Sequence, residues 1–528
     1  MRYLINYRNR LAALAASVGV VAFVSACHPD LDITNPNAPD VARAVSTPGD
    51  VRTLIGNAFN TWYLGMQGNA EPVPGLATAV MADNMTMAFG NFGARFNGQE
   101  PRLAYNNSSS ASDGRVASSP YDAMYGALGS ANDGLNAIKR GVKVAVNAAA
   151  ADETPQFKAL AYLIQGLTLG FESLVFDQGF VVDEDTQQGS ATLQPYAAVS
   201  AAALTKYDKA IAEATGKTWS IPTEFTPGMS ITAAKFVQFA NTMAARQIAY
   251  TARTPTENQA ANWAKVLSYA SAGISAGTPL TLQVSGDGGS IWYDVLKYYA
   301  ESQSWVRVDQ RVIQLLDPTQ PVVYTSITPP PKAVSADARL ASDFTFVNNI
   351  PYNPARGVYF FSQWQHTRYF FHSFEDESEG LRGNVPFVLP AENDLLWAEA
   401  LIRTNGNKTL AATLINKTRV GRGNLPPVDG GMSNAELLAA IFYERDVELF
   451  DTGAGQAWFD RRRIDLNLVY NGLPIGNTWG FRGGSNLQLG TPRHLPLPAK
   501  ELETLAIKVY TYGGAPPNPA CGEIATSC

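Results

Sequence analysis

Amphipathic segments rich in alanine and aromatic residues recur through the first half of the chain, and they limit its fold more than any other feature. In the segment 121–138 the apolar residues step by three or four positions, and a helix is predicted to begin at Ser119-Pro120. Because such a helix buries one stripe against a neighbour, the pattern predicts a mainly helical first half. Four further segments share the pattern: 157–176, 196–214, 232–250 and 262–274.

Two glycines interrupt the segment 157–176. Gly166 and Gly170 stand one turn apart among large residues. Since a glycine costs about 1 kcal/mol in a helix interior, the pair indicates a close approach of a neighbouring helix. Helix pairs in which large residues pack on small ones resemble divergent tetratricopeptide repeats. An alanine-rich helical bundle is the alternative, because the repeat spacing is irregular.

The middle of the chain has a different composition. Residues 277–390 combine many glycines and prolines with aromatic clusters, which favours loops and short strands. The helical pattern then returns in three segments: 393–405, 409–423 and 434–450.

The N-terminus has the pattern of an export signal. Three arginines precede the apolar run 11–24, which is too short to span a bilayer comfortably. The order Val-Ser-Ala-Cys that ends at Cys27 resembles a bacterial lipobox, so residues 1–26 are interpreted as a lipoprotein signal peptide and Cys27 as the lipidated residue. Two or three acyl chains would give stable membrane anchoring. An ordinary cleavage site beside an incidental cysteine is the alternative.

The composition argues against several functions. The charged fraction is 16% and the net charge is −6, without the basic face that a nucleic-acid binder needs. The chain has four histidines and no HExxH or paired His/Cys spacing, so no metal site is predicted. It also has no phosphate-loop motif and no GxSxG motif, and no cofactor is predicted.

The C-terminal third carries an ordered set of motifs. The stretch ERDVELFDTGAGQAWFDRRR (444–463) resembles the signature of the SusD/RagB family of surface lipoproteins. LLWAEALIR, INKTRVGRGNLP and LPLPAKEL fit further segments of that family in the same order, and FESLVFDQGFVV, DARLASDF and LDITNPNAP fit upstream ones. The turn DTGAGQ is longer than in the family, and Ala457 stands where the family has arginine, which affects local packing. The resemblance spans nearly the whole mature chain.

Similarity to this family implies a mainly α fold: a tetratricopeptide-like, SusD-like helical scaffold with a loop-rich ligand-binding face and short strands. It also implies a nutrient-binding lipoprotein, not an enzyme, exposed on the outer membrane, which hands an oligosaccharide or peptide to a TonB-dependent SusC-type transporter. A surface hydrolase on the same scaffold and a helical-repeat assembly protein without a small ligand are the alternatives. After the signal peptide, the expected regions are a helical N-terminal region with a tether, 27–276, and a C-terminal region, 277–528, that includes the loop-rich insertion 277–390.

The signature is rich in acids and arginines, which raises the question of catalysis. Paired carboxylates are what a glycosidase needs, but the neighbouring arginines are ready counter-ions, so structural ion pairing without a catalytic residue is predicted. The acidic loop Asp183-Glu184-Asp185 lacks the alternation of an EF-hand, and a solvated loop is favoured over a calcium site. The predicted ion-pair residues are Glu444, Arg445, Glu448, Asp460, Arg462 and Arg463.

Two cysteines lie near the C-terminus. If Cys27 is acylated, Cys521 and Cys528 are the remaining thiols, and an exported protein meets an oxidising compartment. A disulfide between these two residues is predicted, with two free thiols as the alternative.

Sugar-binding sites usually join exposed aromatic rings to a few polar side chains. Tryptophans in the helices or the signature are expected in the core, whereas those in the Gly/Pro-rich regions are expected on the ligand face. The loop FGNFGARFNG adds Phe89 to this face. The predicted ligand-binding residues are Trp292, Tyr293, Trp305, Trp364, Trp479, Arg482 and Phe92.

Overall fold

Helices make up most of the regular structure. The computed structural model describes residues 46–67, 73–90, 93–111, 115–187, 189–275, 279–285, 292–302, 305–369, 382–464, 469–470, 473–474, 487–488 and 490–514. The helices are α1 Pro48–Gln67, α2 Pro74–Met81, α3 Ala94–Gly98, α4 Arg115–Lys139, α5 Thr154–Val175, α6 Tyr196–Ala214, α7 Ala233–Thr251, α8 Pro255–Ala260, α9 Trp263–Ser271, α10 Val295–Lys297, α11 Gln310–Leu316, α12 Arg339–Ser342, α13 Pro390–Arg403, α14 Lys408–Arg419, α15 Asn434–Glu448, α16 Gln456–Arg461 and α17 Ala499–Thr504. A π-helical turn, Tyr298–Ser302, directly follows α10. Within these described ranges, no helix is both long and apolar enough to cross a membrane.

The helices predicted from apolar periodicity are confirmed, with small differences at their ends. α6 has the bounds predicted for it, 196–214, and α5 begins beside Pro155, which tolerates the first helical turn because its missing N–H would have no partner there. α4 departs most from its prediction. It begins by Arg115, so Pro120 lies inside the helix, and the start predicted at Ser119-Pro120 is wrong. The apolar stripe already begins with Val116 and Ala117, which are both buried.

Gly166 and Gly170 lie where α6 and α7 press on α5. A β-carbon added to Gly166 would stand 2.7 Å from the Tyr207 ring on α6, and one added to Gly170 would stand 2.7 Å from the side-chain oxygen of Gln247 on α7. Real β-carbons essentially never approach other atoms this closely, so α6 and α7 can pack this near to α5 only where side chains are absent. The close approach predicted from the two glycines is confirmed.

The strands form six two-stranded antiparallel sheets in the described part of the chain. As predicted for the loop-rich insertion, five of the strands lie within 277–390 and are short. The longest pair is β6 with β10, in which the buried residues Leu282 and Val385 stand opposite each other. The pairs are β1 Met85–Thr86 with β7 Arg307–Val308, β2 Gln178–Phe180 with β3 Leu193–Pro195, β4 Ser220–Ile221 with β5 Ile231–Thr232, β6 Leu280–Ser285 with β10 Arg382–Val388, β8 Phe344–Phe346 with β9 Trp364–His366, and β11 Val469–Tyr470 with β12 Leu473–Pro474.

The apolar core crosses the boundary predicted at residue 277. Its larger cluster runs from Val51 in α1 to Leu502 in α17 and includes Trp62 and Trp458. A second cluster joins α2 and α11 to the C-terminal helices α13, α14 and α15. Since the larger cluster draws on both sides of residue 277, the two expected regions share one core, and all described residues lie in the compact unit Val45–Cys528.

Candidate ligand-binding site

Trp305 exposes its ring at the surface, within a group of three aromatic side chains. It is 40% exposed and is the only exposed tryptophan among the residues that the structure describes. Its ring stacks on Tyr299 with centroids 4.8 Å apart at 26°, and the Phe89 ring lies 6.0 Å away on another side. We call Phe89, Tyr299 and Trp305 the aromatic platform.

Strand pairing brings the members of the platform together. β1 and β7 are antiparallel, with Met85 opposite Val308 and Thr86 opposite Arg307. Phe89 follows β1 by three residues and Trp305 precedes β7 by two, so the pairing places both at the same end of this small sheet. Residues more than 200 positions apart therefore meet in one surface.

A buried aromatic cluster supports the platform from below. The Tyr352 hydroxyl lies 2.8 Å from the carbonyl oxygen of Trp305 and 2.9 Å from that of Thr86, which ties both sides of the platform to one side chain. The Tyr352 ring meets the Phe89 ring edge-on at 5.6 Å. Tyr352 packs with Phe360 and other aromatic rings in a cluster of its own. A rigid base of this kind holds a binding surface in place before the ligand arrives.

Polar side chains lie near Phe89 in space and near Trp305 along the chain. The Arg356 guanidinium donates to the carbonyl oxygen of Ala88 at 2.8 Å and lies 5.9 Å from the Phe89 ring. Arg307 donates to the exposed amide oxygen of Asn349 at 2.9 Å, and burial lowers the pKa of Arg307. An exposed indole, an exposed amide at Asn349 and a half-buried guanidinium at Arg356 are group types found in sites for polyhydroxylated ligands.

Two of the tryptophans predicted for the ligand face are core residues instead. Trp292 is 3% exposed and packs between Phe59 and Tyr63, and Trp364 is 4% exposed in β9. Tyr293 is half-buried against the second core cluster. A ring buried on both faces cannot stack on a sugar. Of the predicted ligand-binding residues that the structure describes, Trp305 alone belongs to the platform. Phe92, Trp479 and Arg482 lie outside the described residues, as do Cys27, Cys521 and Cys528.

Tyr299 is the platform residue that sequence analysis missed. It lies in the π-helical turn Tyr298–Ser302, next to a second tyrosine. Nothing in this pair of neighbouring tyrosines indicates which ring will support an exposed tryptophan, because that depends on the turn that follows α10.

The signature residues form a buried ion-pair network centred on Glu399 of α13. Both Glu399 oxygens pair with Arg463 at 2.9 Å, while Arg445 and Arg403 each approach one oxygen at 2.7 Å. Asp460 adds a second carboxylate, 3.1 Å from Arg445. Although burial alone would raise the pKa of Glu399, the three guanidinium groups hold it well below its usual value. The network joins α13, α15 and α16, and none of its carboxylates is open to a substrate.

Glu444 and Glu448 belong to a second network, centred on Arg339 of α12. The Arg339 guanidinium pairs with Glu444 at 2.6 Å, Asp337 at 2.7 Å and Glu448 at 3.3 Å. Glu448 is completed by Arg368 at 2.9 Å and Arg422 at 3.0 Å. Burial raises the pKa of Glu444, and Arg339 opposes that rise.

Among the described residues, Arg462 does not form the ion pair that was predicted for it. Its guanidinium donates to the carbonyl oxygens of Tyr250 and Arg493 at 2.9 and 2.8 Å, and it lies 4.8 Å from the Trp458 ring. Burial, with Arg253 nearby, lowers its pKa well below the usual value. Within the described residues it pairs with no carboxylate, because α16 turns it away from Glu399 and toward the end of α7.

The same C-terminal region matches a known protein family. Residues 375–498, which include the whole ion-pair network centred on Glu399, match the SusD family. Over this segment the chain is similar to the SusD family. A search of curated protein sequences finds no match.

Solved structures of SusD-like proteins share the fold of this chain. A SusD homolog from Bacteroides thetaiotaomicron has 16% sequence identity and a TM-score of 0.58, with 86% of this chain and 96% of that one covered. Surface glycan-binding protein A from Bacteroides uniformis has 14% identity and a TM-score of 0.57, with coverages of 87% and 98%. A SusD-like carbohydrate-binding protein from Bacteroides vulgatus has 15% identity and a TM-score of 0.56, with coverages of 82% and 87%. The mainly α, tetratricopeptide-like SusD fold expected from the sequence is confirmed.

The aromatic platform lies outside the segment that matches the SusD family. Its three residues fall at positions 89, 299 and 305, whereas the match begins at 375. The match therefore covers the C-terminal part of the scaffold with the Glu399 network, and the platform is assessed from its own geometry.

Lysines fill the acidic loop at Asp183-Glu184-Asp185. The Lys206 ammonium lies 2.9 Å from Asp183 and 3.2 Å from Glu184, and Lys139 pairs with Asp185 at 2.5 Å. Lys206 holds the pKa of Asp183 at about 2, although partial burial acts in the opposite direction. The Glu184 side chain is buried, and each of the three carboxylates pairs with a lysine, so lysines offset the negative charge of this loop.

Proposed function

We propose that this chain is a non-enzymatic glycan-binding protein that holds an oligosaccharide on the aromatic platform. The observation that carries the proposal is the exposed Trp305 ring, fixed in place by the stacked Tyr299. A sugar ring presents a flat C–H face that packs on an indole, and its hydroxyls need polar partners such as those at the platform edge. Two of the SusD-like structures that share the fold are named as glycan- or carbohydrate-binding proteins, which supports the ligand class.

Replacing Trp305 by alanine should weaken oligosaccharide binding about 5- to 150-fold. This range corresponds to the roughly 1–3 kcal/mol that a stacked aromatic ring contributes. The measurement is isothermal calorimetry with a panel of oligosaccharides and peptides on the wild type and on Trp305→Ala. Trp305→Phe, which keeps a ring, should retain part of the affinity.

Val146→Ala is the matched control, since Val146 is also an exposed apolar residue but lies in the loop after α4. It should bind as the wild type does. Equal affinities of wild type and Trp305→Ala would remove the platform from the site, and a wild type that binds peptides but no glycan would overturn the ligand class. Shortened sugars appearing during the titration would favour a surface hydrolase on this scaffold.

We further propose that the protein acts at the outer membrane and is anchored there by lipid on Cys27. The recipient of its ligand is a TonB-dependent SusC-type transporter. The lipobox-like order Val-Ser-Ala-Cys and the similarity of residues 375–498 to the SusD family support this assignment. A binding protein tethered beside a transporter delivers its ligand at a high effective concentration.

Changing Cys27 to serine should release the mature chain from membranes, because the acyl chains would have no thiol to attach to. Fractionation of cells and mass spectrometry of the N-terminal peptide measure this, with Cys528→Ser as the control that stays anchored. The transporter should co-isolate with the anchored wild type after cross-linking. An unmodified N-terminus beyond Cys27 would contradict the anchor, and recovery of the cross-linked chain without a transporter would contradict the partner.

A further inference from the structure

Three side chains from distant segments meet in the interior beside the platform. Glu301 comes from the π-helical turn, Asp451 follows α15, and His366 ends β9. Each offers one nitrogen or oxygen atom, and these atoms lie within 4.8 Å of one another. All three residues are at least nine-tenths buried. We call Glu301, His366 and Asp451 the buried triad.

Hydrogen bonds inside the triad leave several donor atoms unused. One Glu301 oxygen is 2.7 Å from His366 Nδ1, and the other accepts the Tyr369 backbone N–H at 2.7 Å. Among the described residues, His366 Nε2 and Asp451 Oδ2 have no hydrogen-bond partner, whereas Asp451 Oδ1 is 3.2 Å from the Lys297 ammonium. A buried polar atom without a partner costs about 1–3 kcal/mol, so two in one place need a physical reason.

The charges around the triad do not balance. Glu301, Asp451 and the adjacent Asp294 are buried carboxylates. Two cations face them: Lys297, whose ammonium lies 3.2 Å from Asp451, and Arg368, which also pairs with Glu448. Tyr63 donates to Asp294 at 2.8 Å but brings no charge. His366 Nδ1 faces Glu301 at 2.7 Å, so a ring proton on Nδ1 leaves the lone pair of Nε2 available. The carboxylates of this pocket therefore outnumber the cations that face them, and an imidazole lies among them.

The backbone around the triad is irregular at two of its three members. Glu301 lies in a π-helical turn, a form that occurs mostly as single turns and often at functional sites. Asp451 has a φ of 51°, in the left-handed region, which aspartate adopts more readily than most residues other than glycine. Both residues place a carboxylate in the interior.

We propose that Glu301, His366 and Asp451 bind one divalent transition-metal ion of the Zn²⁺ type. Two carboxylate oxygens and an imidazole nitrogen are ligands that zinc accepts, whereas the imidazole disfavours Ca²⁺ and Mg²⁺. The ion balances the excess negative charge. It also braces the turn that carries Tyr299, and through it the aromatic platform.

A second buried histidine shows why the charge environment matters. His494 is also buried with an unpartnered ring nitrogen, but it faces the guanidinium groups of Arg253, Arg462 and Arg493. Three positive charges around it exclude a cation. His494 is therefore a matched control for His366.

The test is the metal content of the full-length chain, purified without a histidine tag or chelators and measured by plasma mass spectrometry. We expect about one divalent metal ion per chain in the wild type and in His494→Gln, and none in His366→Gln. Adding Zn²⁺ to chelator-treated wild type should raise Tm by about 2 °C or more, with no such rise in Asp451→Asn.

A wild type that carries no metal, and whose Tm does not respond to Zn²⁺, would overturn the proposal. A proton shared by Glu301 and Asp451 would then explain the triad. If His366→Gln does not fold, the absorption spectrum of Co²⁺-loaded wild type supplies a second readout, since an imidazole–carboxylate site gives visible d–d bands that free Co²⁺ in buffer does not match. An unchanged Co²⁺ spectrum would also count against the site.

Discussion

Replacing Glu399 by glutamine should lower the free energy of unfolding by about 3–5 kcal/mol. The substitution keeps the shape of the side chain but removes the charge that Arg403, Arg445 and Arg463 share. Arg463 is fully buried, so its guanidinium cannot recover the lost interaction from water. Removing one partner of a buried pair costs far more than the pair contributes, because an uncompensated charge remains in the interior.

Urea unfolding followed by circular dichroism measures this loss, provided that the transition is two-state. Lys500→Ala is the control. Lys500 pairs with Asp122 on the surface, both side chains are about half exposed, and such pairs contribute roughly 0–1 kcal/mol. If the two variants lost similar free energies of unfolding, the Glu399 network would be hydrated. An uncompensated buried charge would then be the wrong explanation.

The sequence predicted the helices well because each one carries its own local signal. Alanine-rich segments with aromatic residues on one face form helices wherever they occur, and Gly166 and Gly170 predicted the close approach of α6 and α7 to α5. The start of α4 was less predictable. Pro120 is a strong local signal, but the burial of Val116 upstream extends the helix past it.

The aromatic site was only partly predictable, because exposure depends on distant partners. Trp292, Trp305 and Trp364 all lie in the same Gly/Pro-rich region. The pairing of β8 with β9 and the packing on α1 bury two of them, whereas the pairing of β1 with β7 leaves Trp305 at an exposed end. Local composition does not distinguish these three outcomes.

The ion pairs were also only partly predictable, because their main partners are distant in the sequence. The acids and arginines of the signature were predicted to pair, but their main partners, Glu399 and Arg339, lie 46 to 105 residues away from Arg445 and Glu444. The buried triad was invisible for the same reason, since its members are scattered from Glu301 to Asp451 with no short spacing between them. Only the fold brings such residues together.

Replacing Arg339 by methionine should destabilise the protein by about 3–5 kcal/mol near neutral pH. Arg339 is fully buried and is the charge that Asp337, Glu444 and Glu448 share. Methionine fills most of the same volume, so little of the lost stability comes from a cavity. Most of it comes from three buried carboxylates that have lost their common partner.

The same variant should recover part of its stability in mild acid. Burial already raises the pKa of Glu444, and removing Arg339 removes the group that opposes this rise. A carboxyl whose folded pKa is raised contributes stability below its unfolded pKa, near 4.3, and loses it as the pH rises through the folded pKa. The difference in free energy of unfolding between wild type and Arg339→Met should therefore be smaller at about pH 5 than at about pH 7.5.

Urea unfolding at the two pH values measures this stability difference. Lys139→Met is the control, because Lys139 pairs with Asp185 on the surface and its removal should cost little at either pH. The distinguishing feature is the sign of the pH effect. A surface ion pair becomes weaker in acid, whereas an uncompensated buried carboxyl becomes less costly as it takes up a proton. The contrary result is a stability difference between wild type and Arg339→Met that stays constant or widens in acid. Such a result would show that Glu444 and its neighbours remain ionised without the arginine and are solvated by water.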